Sequence, residues 1–316
     1  MSLKVERWLR QHTESLHGKT VAVTGSTGGL GRELCRYLLR LGAALILMDR
    51  NKQRSDAWRE QLLLEYPNAK IGQIPLDLSR MESVRAACEC LEAEPLDVLI
   101  HNAGAYHIPR VVCDTGYDNV FQINFVSPYY MTARLLPHLQ RRGGRVVLVG
   151  SIAHRYAQSD ESDVDFSKRR RHSLAYGNAK RYLMTATPAL LKDAEGVTLA
   201  LTHPGICYTG ITAHYPPWLF ALIKYPMKLI FMPPSKAALC VLRGVFAPTL
   251  DGWWWGPWCL DIWGRPVLRR LRSVSPSEAS SIRQTARSIY QSLSKNKGGK
   301  HDVLSFDVPA VTLGSE

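Results

Sequence analysis

The feature of this sequence that most constrains its fold is a regular alternation of short apolar runs with longer amphipathic stretches from Lys19 onward. Predicted strands occupy residues 20–24, 44–48, 70–75, 98–101, 145–149 and 198–202. Predicted helices occupy residues 30–41, 55–66, 79–92, 118–140 and 174–191. Nearly continuous apolar strands that are separated by helices indicate a parallel sheet covered on both faces. Because such crossovers are right-handed, the sequence predicts an α/β fold with a Rossmann-type, doubly wound parallel sheet in a single domain.

The domain organisation follows from the same pattern. The 316 residues contain no internal repeat and no shift of composition that would mark a second domain. Residues 1–18 are predicted to form a helical extension, because Val5, Trp8, Leu9 and His12 follow a helical spacing. The main domain is expected to cover residues 19–294, with a cap over the substrate at about 205–250. Residues 295–316, rich in Gly, Lys and small side chains, are expected to form a mobile tail.

Charge and cysteine content narrow the classes of partner and compartment. A net charge of +13 is compatible with a nucleic acid, an anionic membrane surface or a simply basic surface. No zinc-finger spacing and no RNA-binding aromatic signature occurs, so no nucleic-acid partner is predicted. The seven cysteines are odd in number and form no C-x-x-C pair, which argues against a disulfide framework and a metal site. A reducing, cytoplasmic location is expected, with peripheral contact to a membrane left open.

A glycine-rich turn joins the first strand to the first helix that follows it, and it reads Thr24-Gly25-Ser26-Thr27-Gly28-Gly29-Leu30-Gly31. Glycines let the backbone turn tightly and approach a pyrophosphate, whose charge is stabilised at a helix N-terminus. Gly31 would also allow the helix to pack closely on the strand. The predicted cofactor-binding residues of this turn are Gly25, Ser26, Thr27, Gly29, Leu30 and Gly31.

The end of the second strand carries the residues that would select the cofactor. Asp49 lies where a carboxylate can accept the ribose hydroxyls of the adenosine half of a dinucleotide. This carboxylate would repel a 2′-phosphate, which favours NAD. Arg50 follows directly and could pair with that phosphate, which favours NADP. We predict NAD as the cofactor, with NADP as the alternative.

In this context the sequence resembles the short-chain dehydrogenase/reductase family over about residues 19–266, and within it the retinol-dehydrogenase-like and ketosteroid-reductase-like members. The glycine turn has that family's Thr-Gly-x-x-x-Gly-x-Gly spacing. The resemblance implies further cofactor contacts in three places: after the third strand, after the fourth strand and after the sixth strand. These residues are Asp77, Leu78, Asn102, Ala103, Gly104, Pro204, Gly205, Ile206 and Thr209.

The resemblance also implies a catalytic set, Asn124, Ser151, Tyr176 and Lys180, of which the last two match the family's Tyr-x-x-x-Lys. Tyr176 and Lys180 are four residues apart on a predicted helix, so both project from one face. A free tyrosine is too weak a base at neutral pH. A neighbouring ammonium and an oxidised nicotinamide would lower the pKa of Tyr176, which could then exchange a proton with an alcohol or carbonyl. In the family, the lysine also holds the nicotinamide ribose, and the asparagine anchors a relay water.

Three segments bear on the substrate. The spacer between Ser151 and Tyr176 is acidic and then basic over residues 160–171, and it is expected to be a solvated excursion. Residues 214–234 are apolar with several prolines, too short and broken to span a bilayer, and are expected to cap the pocket, with peripheral membrane contact as a further possibility. The tryptophans of residues 252–258 are expected to pack near them. Together these segments favour a bulky lipophilic substrate, such as a steroid- or retinoid-like alcohol, ketone or aldehyde.

Two other functions stay open at this point. The chain could be a catalytically silent, cofactor-binding regulatory protein, although such proteins typically lose the tyrosine or the lysine that is present here. It could also be an extended-branch sugar-nucleotide epimerase or dehydratase, because Gly28 permits that branch's glycine spacing. The family resemblance further implies a homodimer formed through the long helices that carry Asn124 and Tyr176.

Overall fold

The computed structural model describes residues 3–192, 194–207, 231–272 and 274–295. Its strands form one sheet in the order β3-β2-β1-β4-β5-β6-β7-β8. Strands β1 to β7 run parallel, and β8 pairs antiparallel with β7 at the edge. The strands are β1 Thr20–Thr24, β2 Ala44–Asp49, β3 Ile71–Pro75, β4 Leu96–His101, β5 Arg145–Val149, β6 Thr198–Thr202, β7 Trp253–Cys259 and β8 Trp263–Arg270. This confirms the predicted doubly wound α/β fold.

Helices cover both faces of the sheet, as a parallel sheet requires. They are α1 Leu3–His12, α2 Gly29–Arg40, α3 Lys52–Glu65, α4 Met81–Ala93, α6 His172–Leu191, α7 Pro234–Phe246 and α8 Pro276–Lys295. Between α4 and α6, helix α5 consists of Asn119–Phe121, a π-helical turn Gln122–Val126 and a regular part Ser127–Gln140. A 3₁₀ turn, Ile152–Arg155, follows β5.

Two apolar layers hold the sheet between the helices. On one face, Ala22 of β1 packs in a cluster with residues of α4, α5, α6 and α8. On the other face, Val21 and Val23 pack in a cluster with residues of α1, α2, α3 and α7. Successive side chains of a strand point to opposite faces, so β1 contributes to both layers. The strand order reverses around β1 and β4, and ligands of such sheets bind at this switch point, beyond the carboxyl ends of the strands.

Helix α8 is an element that the sequence patterns did not reveal. Its buried residues Ile282, Ala286, Ile289 and Leu293 recur every three or four positions and join the layer formed by α4, α5 and α6. Helix α8 contacts α6, the π turn and the regular part of α5. It therefore lies on the two long helices through which the sequence-based homodimer was expected to form.

The charged spacer before α6 differs from the expected solvated excursion in its central part. Asp163, Asp165 and Phe166 are buried, with 6%, 8% and 1% of their surface exposed. Asp165 accepts a hydrogen bond from the backbone N–H of Asp118 at 2.7 Å, which ties the spacer to the start of α5. The expectation of a solvated loop was wrong, because a pattern of charges in the sequence does not reveal which carboxylates accept hydrogen bonds from the backbone in the folded protein.

The described part of the chain contains no helix that is long and apolar enough to cross a bilayer. Residues 208–230 lie outside the described residues, and with them Thr209 and most of the predicted cap at 214–234. The predicted tail at 295–316 lies outside them as well, apart from Lys295.

Candidate active site

The glycine turn has the tight geometry that its sequence predicts. Gly25 has a positive φ of +68°, and a Cβ atom there would lie 3.0 Å from Cα of Ala103. A Cβ atom on Gly31 would lie 2.3 Å from the backbone oxygen of Gly25, so only glycine lets α2 pack this closely on the turn. Helix α2 has no side-chain cap at Gly28. The first N–H groups of α2 therefore have no capping side chain as acceptor, and they can bind an anion instead.

Asn102 fastens the turn to the end of β4. Its Nδ2 donates to the backbone oxygens of Thr24 at 2.9 Å and of Gly25 at 3.1 Å. The hydroxyl oxygen of Thr24 accepts the N–H groups of Asn102 and Ala103, both at 3.0 Å. The two predicted cofactor segments, the glycine turn and Asn102-Ala103-Gly104, are thus one hydrogen-bonded unit.

Asp49 binds the glycine turn directly. One carboxylate oxygen accepts the N–H of Thr27 at 3.0 Å and its hydroxyl at 2.9 Å. The other oxygen accepts the hydroxyl of Ser26. Asp49 is buried, whereas the neighbouring Arg50 is exposed. Asp49 therefore fixes the position of the turn in addition to any contact it makes with a ribose.

The remaining predicted cofactor residues that the structure describes lie at the same carboxyl edge of the sheet. Asp77 follows β3, and its carboxylate accepts the N–H and the hydroxyl of Ser79 at 2.9 and 2.6 Å. Leu78 is buried beside it. After β6, Gly205 has a φ of +81°, and a Cβ atom there would lie 2.5 Å from the backbone oxygen of Ile262. The N–H of Ile206 donates to that same oxygen at 3.3 Å, and Pro204 precedes this turn.

Asn124 lies in the π turn of α5 and is fully buried. Its Nδ2 donates to the backbone oxygens of Ala105 at 2.7 Å and Val120 at 2.8 Å. Its Oδ1 accepts the N–H of Ala105 at 3.2 Å. A Cβ atom on Gly104 would lie 2.9 Å from Oδ1 of Asn124 and 3.7 Å from Nζ of Lys180. A side chain at position 104 would therefore press on Asn124 and contact Lys180.

Ser151, Tyr176 and Lys180 meet where β5 ends against α6. The hydroxyl of Ser151 lies close enough to the phenol of Tyr176 to act on its pKa. The hydroxyl oxygen of Ser151 accepts the N–H of Ala153 at 3.2 Å, which leaves its proton free to be donated. Nζ of Lys180 is buried, donates to the backbone oxygen of Val149 at 2.9 Å and lies 5.7 Å from the ring centre of Tyr176. The structure thus brings together all four residues predicted to be catalytic.

Burial dominates the electrostatics of this cluster. It raises the pKa of Tyr176 to about 12, against the opposing effect of the nearby Ser151 hydroxyl. It lowers the pKa of Lys180 to about 8. In the protein without its cofactor, desolvation of the phenolate outweighs the effect of the Lys180 ammonium on the pKa of Tyr176. The lowering expected from the ammonium and an oxidised nicotinamide together stays a prediction. A lowered value would have to come from the positive charge of a bound nicotinamide.

A buried stack of rings lies behind Ser151, and sequence reasoning missed it. His203 stacks on Trp254 with ring centres 4.9 Å apart, and His154 meets the same indole edge-on at 5.6 Å. His154 donates from Nδ1 to the backbone oxygen of Ser151 at 2.7 Å. Burial lowers the pKa of His154 to about 4 and that of His203 to about 3, so both imidazoles are neutral at physiological pH. In the sequence, the signal for these histidines was their position: His154 lies three residues after Ser151, and His203 directly precedes Pro204.

Aromatic side chains also surround the approach to Tyr176. The ring of Tyr106 meets that of Tyr176 edge-on at 5.2 Å. His107 and His172 lie against each other, with ring centres 4.4 Å apart. Tyr156 is 52% exposed and packs near Gly177 on the catalytic helix. In the part of the chain that the structure describes, aromatic side chains thus line the surroundings of Tyr176.

Comparison with known proteins agrees with this fold and geometry. The family model described as short chain dehydrogenase matches residues 19–219. The chain belongs to the short-chain dehydrogenase family and is an oxidoreductase of that family. Among curated proteins it resembles mouse retinol dehydrogenase 14, with 36% identity over 254 residues that cover 75% of this chain and 76% of that protein. It is 30% identical to mouse polyprenol dehydrogenase over 246 residues, which cover 74% of this chain and 73% of that protein.

Solved structures share the fold. A Mycobacterium paratuberculosis protein of uncharacterised function superposes with a TM-score of 0.68 at 24% identity, over 89% of this chain and 95% of that chain. The Pseudomonas aeruginosa RhlG/NADP complex superposes with a TM-score of 0.57 at 25% identity, over 74% of this chain and 91% of that chain.

Proposed function

We propose that this protein is an NAD(P)-dependent oxidoreductase that transfers a hydride between nicotinamide and a bulky lipophilic alcohol, ketone or aldehyde. The observation that carries the proposal is the cluster of Asn124, Ser151, Tyr176 and Lys180 at the carboxyl edge of the sheet, close to the glycine turn. Each of these side chains is held by hydrogen bonds or by packing. Such preorganisation is what proton transfer and oxyanion stabilisation require.

The geometry of the four residues supports a separate role for each of them. Tyr176 donates its proton to a carbonyl oxygen during reduction and accepts one from an alcohol during oxidation. Ser151 donates a hydrogen bond to the same substrate oxygen, since its own oxygen already accepts from Ala153. Lys180 supplies positive charge beside the tyrosine, and Asn124 orders the backbone at Ala105 next to it. A bound nicotinamide supplies or accepts the hydride itself.

NAD is the preferred cofactor in this proposal, and NADP is the alternative. The buried carboxylate of Asp49 lies against Ser26 and Thr27 of the turn, where its charge opposes a 2′-phosphate. The exposed guanidinium of Arg50 is the feature that favours NADP. The P. aeruginosa RhlG structure holds NADP, which makes a separate measurement with each cofactor necessary.

A lipophilic substrate is supported by the aromatic surroundings of the reacting hydroxyl. The edge-on contact of Tyr106 with Tyr176 and the exposed ring of Tyr156 offer apolar surface on the substrate side. The names of the mouse relatives refer to retinol and polyprenol, and we extend that class of alcohol to this chain. A steroid- or retinoid-like compound is the proposed substrate.

A peripheral membrane site through residues 214–234 remains part of the proposal, on the sequence pattern alone. Lipophilic substrates partition into bilayers, and an apolar segment that contains two lysines suits an anionic surface. Sedimentation with anionic liposomes tests it: Trp218→Glu is expected to reduce the bound fraction. Equal sedimentation of wild type and variant would contradict this contact.

The two alternative functions are less well supported. A silent regulatory protein has no need of an ordered tyrosine, serine and lysine, all of which are held here. An extended-branch epimerase or dehydratase acts on sugar nucleotides, but the segment after Pro204 is apolar and shows no change of composition that would mark the second domain of such enzymes.

Turnover by wild type and by Tyr176→Phe tests the proposed function. The change in nicotinamide absorbance is followed with NAD and NADP separately, against retinoid and steroid alcohols and ketones. Because Tyr176 is the proton donor and acceptor, we expect its loss to lower kcat by about 100-fold or more, with cofactor binding retained. Tyr66→Phe, at the end of α3 and remote from the site, is the matched control and should keep wild-type kcat. No turnover by wild type, or full turnover by Tyr176→Phe, would overturn the proposal.

A further inference from the structure

The carboxylate of Glu278 joins helix α8 to the loop behind the catalytic serine. Its two oxygens accept hydrogen bonds from Nε and Nη2 of Arg181, both at 2.6 Å. One of these oxygens also accepts the N–H and the hydroxyl of Ser159, at 2.8 and 3.0 Å. The side chains of Arg181 and Glu278 are only 10% and 11% exposed. A bidentate, charge-assisted pair of this kind is strong and specific in its geometry.

Arg181 extends this contact to the active site. It follows Lys180 directly on α6, and its Nη1 donates to the backbone oxygen of His154 at 3.0 Å. His154 donates in turn to the backbone oxygen of Ser151 at 2.7 Å. An unbroken series of bonded groups therefore runs from Glu278 to the catalytic serine, and each distance is that of a well-formed hydrogen bond.

The segment 151–159 depends on these bonds for its place on α6. A Cβ atom on Gly177 would lie 2.4 Å from the backbone oxygen of Ala153, so the 3₁₀ turn touches the backbone of the catalytic helix. Ser151 is fixed at one end of the segment by β5, and Ser159 is fixed at the other end by Glu278. A shift of the segment would move the hydroxyl of Ser151 relative to Tyr176, because Tyr176 belongs to the helix on which the segment rests.

We propose that Glu278 is a positioning residue for the oxidoreductase reaction: it holds segment 151–159 against α6 and thereby fixes Ser151 relative to Tyr176. The inference rests on the proposed function and adds to it a residue that lies outside every motif of the sequence. If the pair of Glu278 and Arg181 only stabilised the fold, activity would follow stability in every variant. If Glu278 has a positioning role, a variant can lose activity and keep the stability of the wild type.

Glu278→Gln tests the role of the charge with little change in shape. We expect kcat to fall by about 10- to 100-fold, because a misplacement of about 1 Å at a reacting group can cost 100-fold. The dissociation constant of the nicotinamide cofactor, measured by quenching of tryptophan fluorescence, is expected to stay unchanged, since the described contacts of Glu278 do not include the glycine turn.

The double variant Glu278→Leu with Arg181→Met separates positioning from stability. Replacing a buried ion pair by apolar residues of similar volume commonly preserves stability. We expect this variant to unfold near the wild-type temperature and yet to remain as slow as Glu278→Gln, because Ser159 and the backbone oxygen of His154 have lost their partners. Recovery of wild-type kcat together with wild-type stability would overturn the proposal.

Arg85→Met is the matched control, since Arg85 donates to the backbone oxygen of Leu293 at 3.0 Å and so holds the opposite end of α8. It is expected to leave kcat unchanged. Hydrogen–deuterium exchange supplies a readout that needs no turnover: amides of residues 153–159 should exchange faster in Glu278→Gln than in wild type or Arg85→Met. Equal exchange or equal kcat in Glu278→Gln would overturn this inference, whereas an inactive wild type would overturn the proposed function.

Discussion

At the level of single residues, the carboxylate of Asp49 accepts hydrogen bonds from Ser26 and Thr27, so its substitution changes the turn as well as the cofactor preference. Asp49→Ala removes these acceptors, and we expect it to weaken the binding of NAD and NADP alike. Asp49→Asn keeps an acceptor oxygen and removes the charge. It should therefore shift the ratio of the two dissociation constants towards NADP by about tenfold, or roughly 1.4 kcal/mol. An unchanged ratio in Asp49→Asn would contradict our account of cofactor selection.

The buried histidines predict that the protein loses stability in mild acid. Burial lowers the pKa of His101 and His203 to about 3 and that of His154 to about 4, from 6.5. Between these values an unfolded chain binds protons that the folded protein does not. Stability is therefore full above about pH 6.5 and falls as the pH is lowered towards 4, with each histidine contributing about 2 kcal/mol of loss at about pH 5.

His203→Phe tests this pH dependence, because phenylalanine can keep the stack on Trp254 without a titrating group. Urea unfolding at about pH 7 and pH 5 gives the change in unfolding free energy for each protein. We expect this change to be smaller in the variant than in wild type by about 2 kcal/mol. An identical change in both proteins would show that His203 does not carry the effect. His138→Phe serves as the control, because that half-buried ring does not belong to the stack on Trp254.

Among the residues of the site, the sequence predicted those that belong to a local motif and missed those that act through distant contacts. Tyr176 and Lys180 could be predicted because a helix places positions four apart on one face. Glu278 could not, since its partner Arg181 is 97 positions away in the chain. The raised pKa of Tyr176 could not be predicted from the sequence either, because burial depends on tertiary packing and not on the neighbouring residue types.

At the level of elements, the contact between α2 and the glycine turn predicts different results for two glycines that are three positions apart. A Cβ atom on Gly31 would lie 2.3 Å from the backbone oxygen of Gly25, whereas one on Gly28 would find its nearest neighbour at 3.4 Å. Gly31→Ala should therefore lower the unfolding free energy by about 1–3 kcal/mol, as overpacking commonly does. Gly28→Ala should stay within about 0.5 kcal/mol of wild type. Denaturant unfolding measures both, and equal values for the two variants would contradict the close packing seen here.

The elements themselves were predictable where one local pattern determines them. The predicted bounds of β1, β5 and β6 agree with the structure, because each strand is a short apolar run with a polar or glycine boundary. Helix α8 was missed because its four buried residues are interspersed with serines and arginines. The apolar stripe that these four residues form is therefore hard to recognise in the sequence. The π turn was missed because a single wide turn leaves no repeating pattern in the sequence.

At the level of the whole molecule, α8 covers part of the surface on which a second copy was expected to pack. Tyr290 of α8 lies on Tyr130 of α5, with ring centres 5.5 Å apart. Ile282, Ala286 and Ile289 are buried on the inner face of α8. A chain that ends at Ser275 would expose this apolar surface. Because α5 and α6 could then pair with a second copy, we expect the shortened chain to be a dimer through these helices.

Light scattering coupled to size-exclusion chromatography checks this prediction. The molar mass of the shortened chain, relative to its own sequence mass, should be twice the corresponding ratio of the full-length chain at the same concentration. Tyr130→Glu in the shortened chain is the control, because a charge in the newly exposed surface should restore the smaller assembly. Equal ratios for the shortened and full-length chains would show that α8 does not occupy a pairing surface.

The π turn of α5 has one more consequence, which concerns chain length and not chemistry. A π turn holds one residue more than a regular helical turn, and this local widening absorbs the extra residue without changing the rotation of Ser127–Gln140. A change of one residue in the regular part of the helix would instead turn the residues on one side of it by about 100° about the axis. Buried residues such as Tyr129 and Leu135 would then leave the core. The π turn is therefore the place in this helix where a change of one residue in chain length leaves the buried face that follows it in the core.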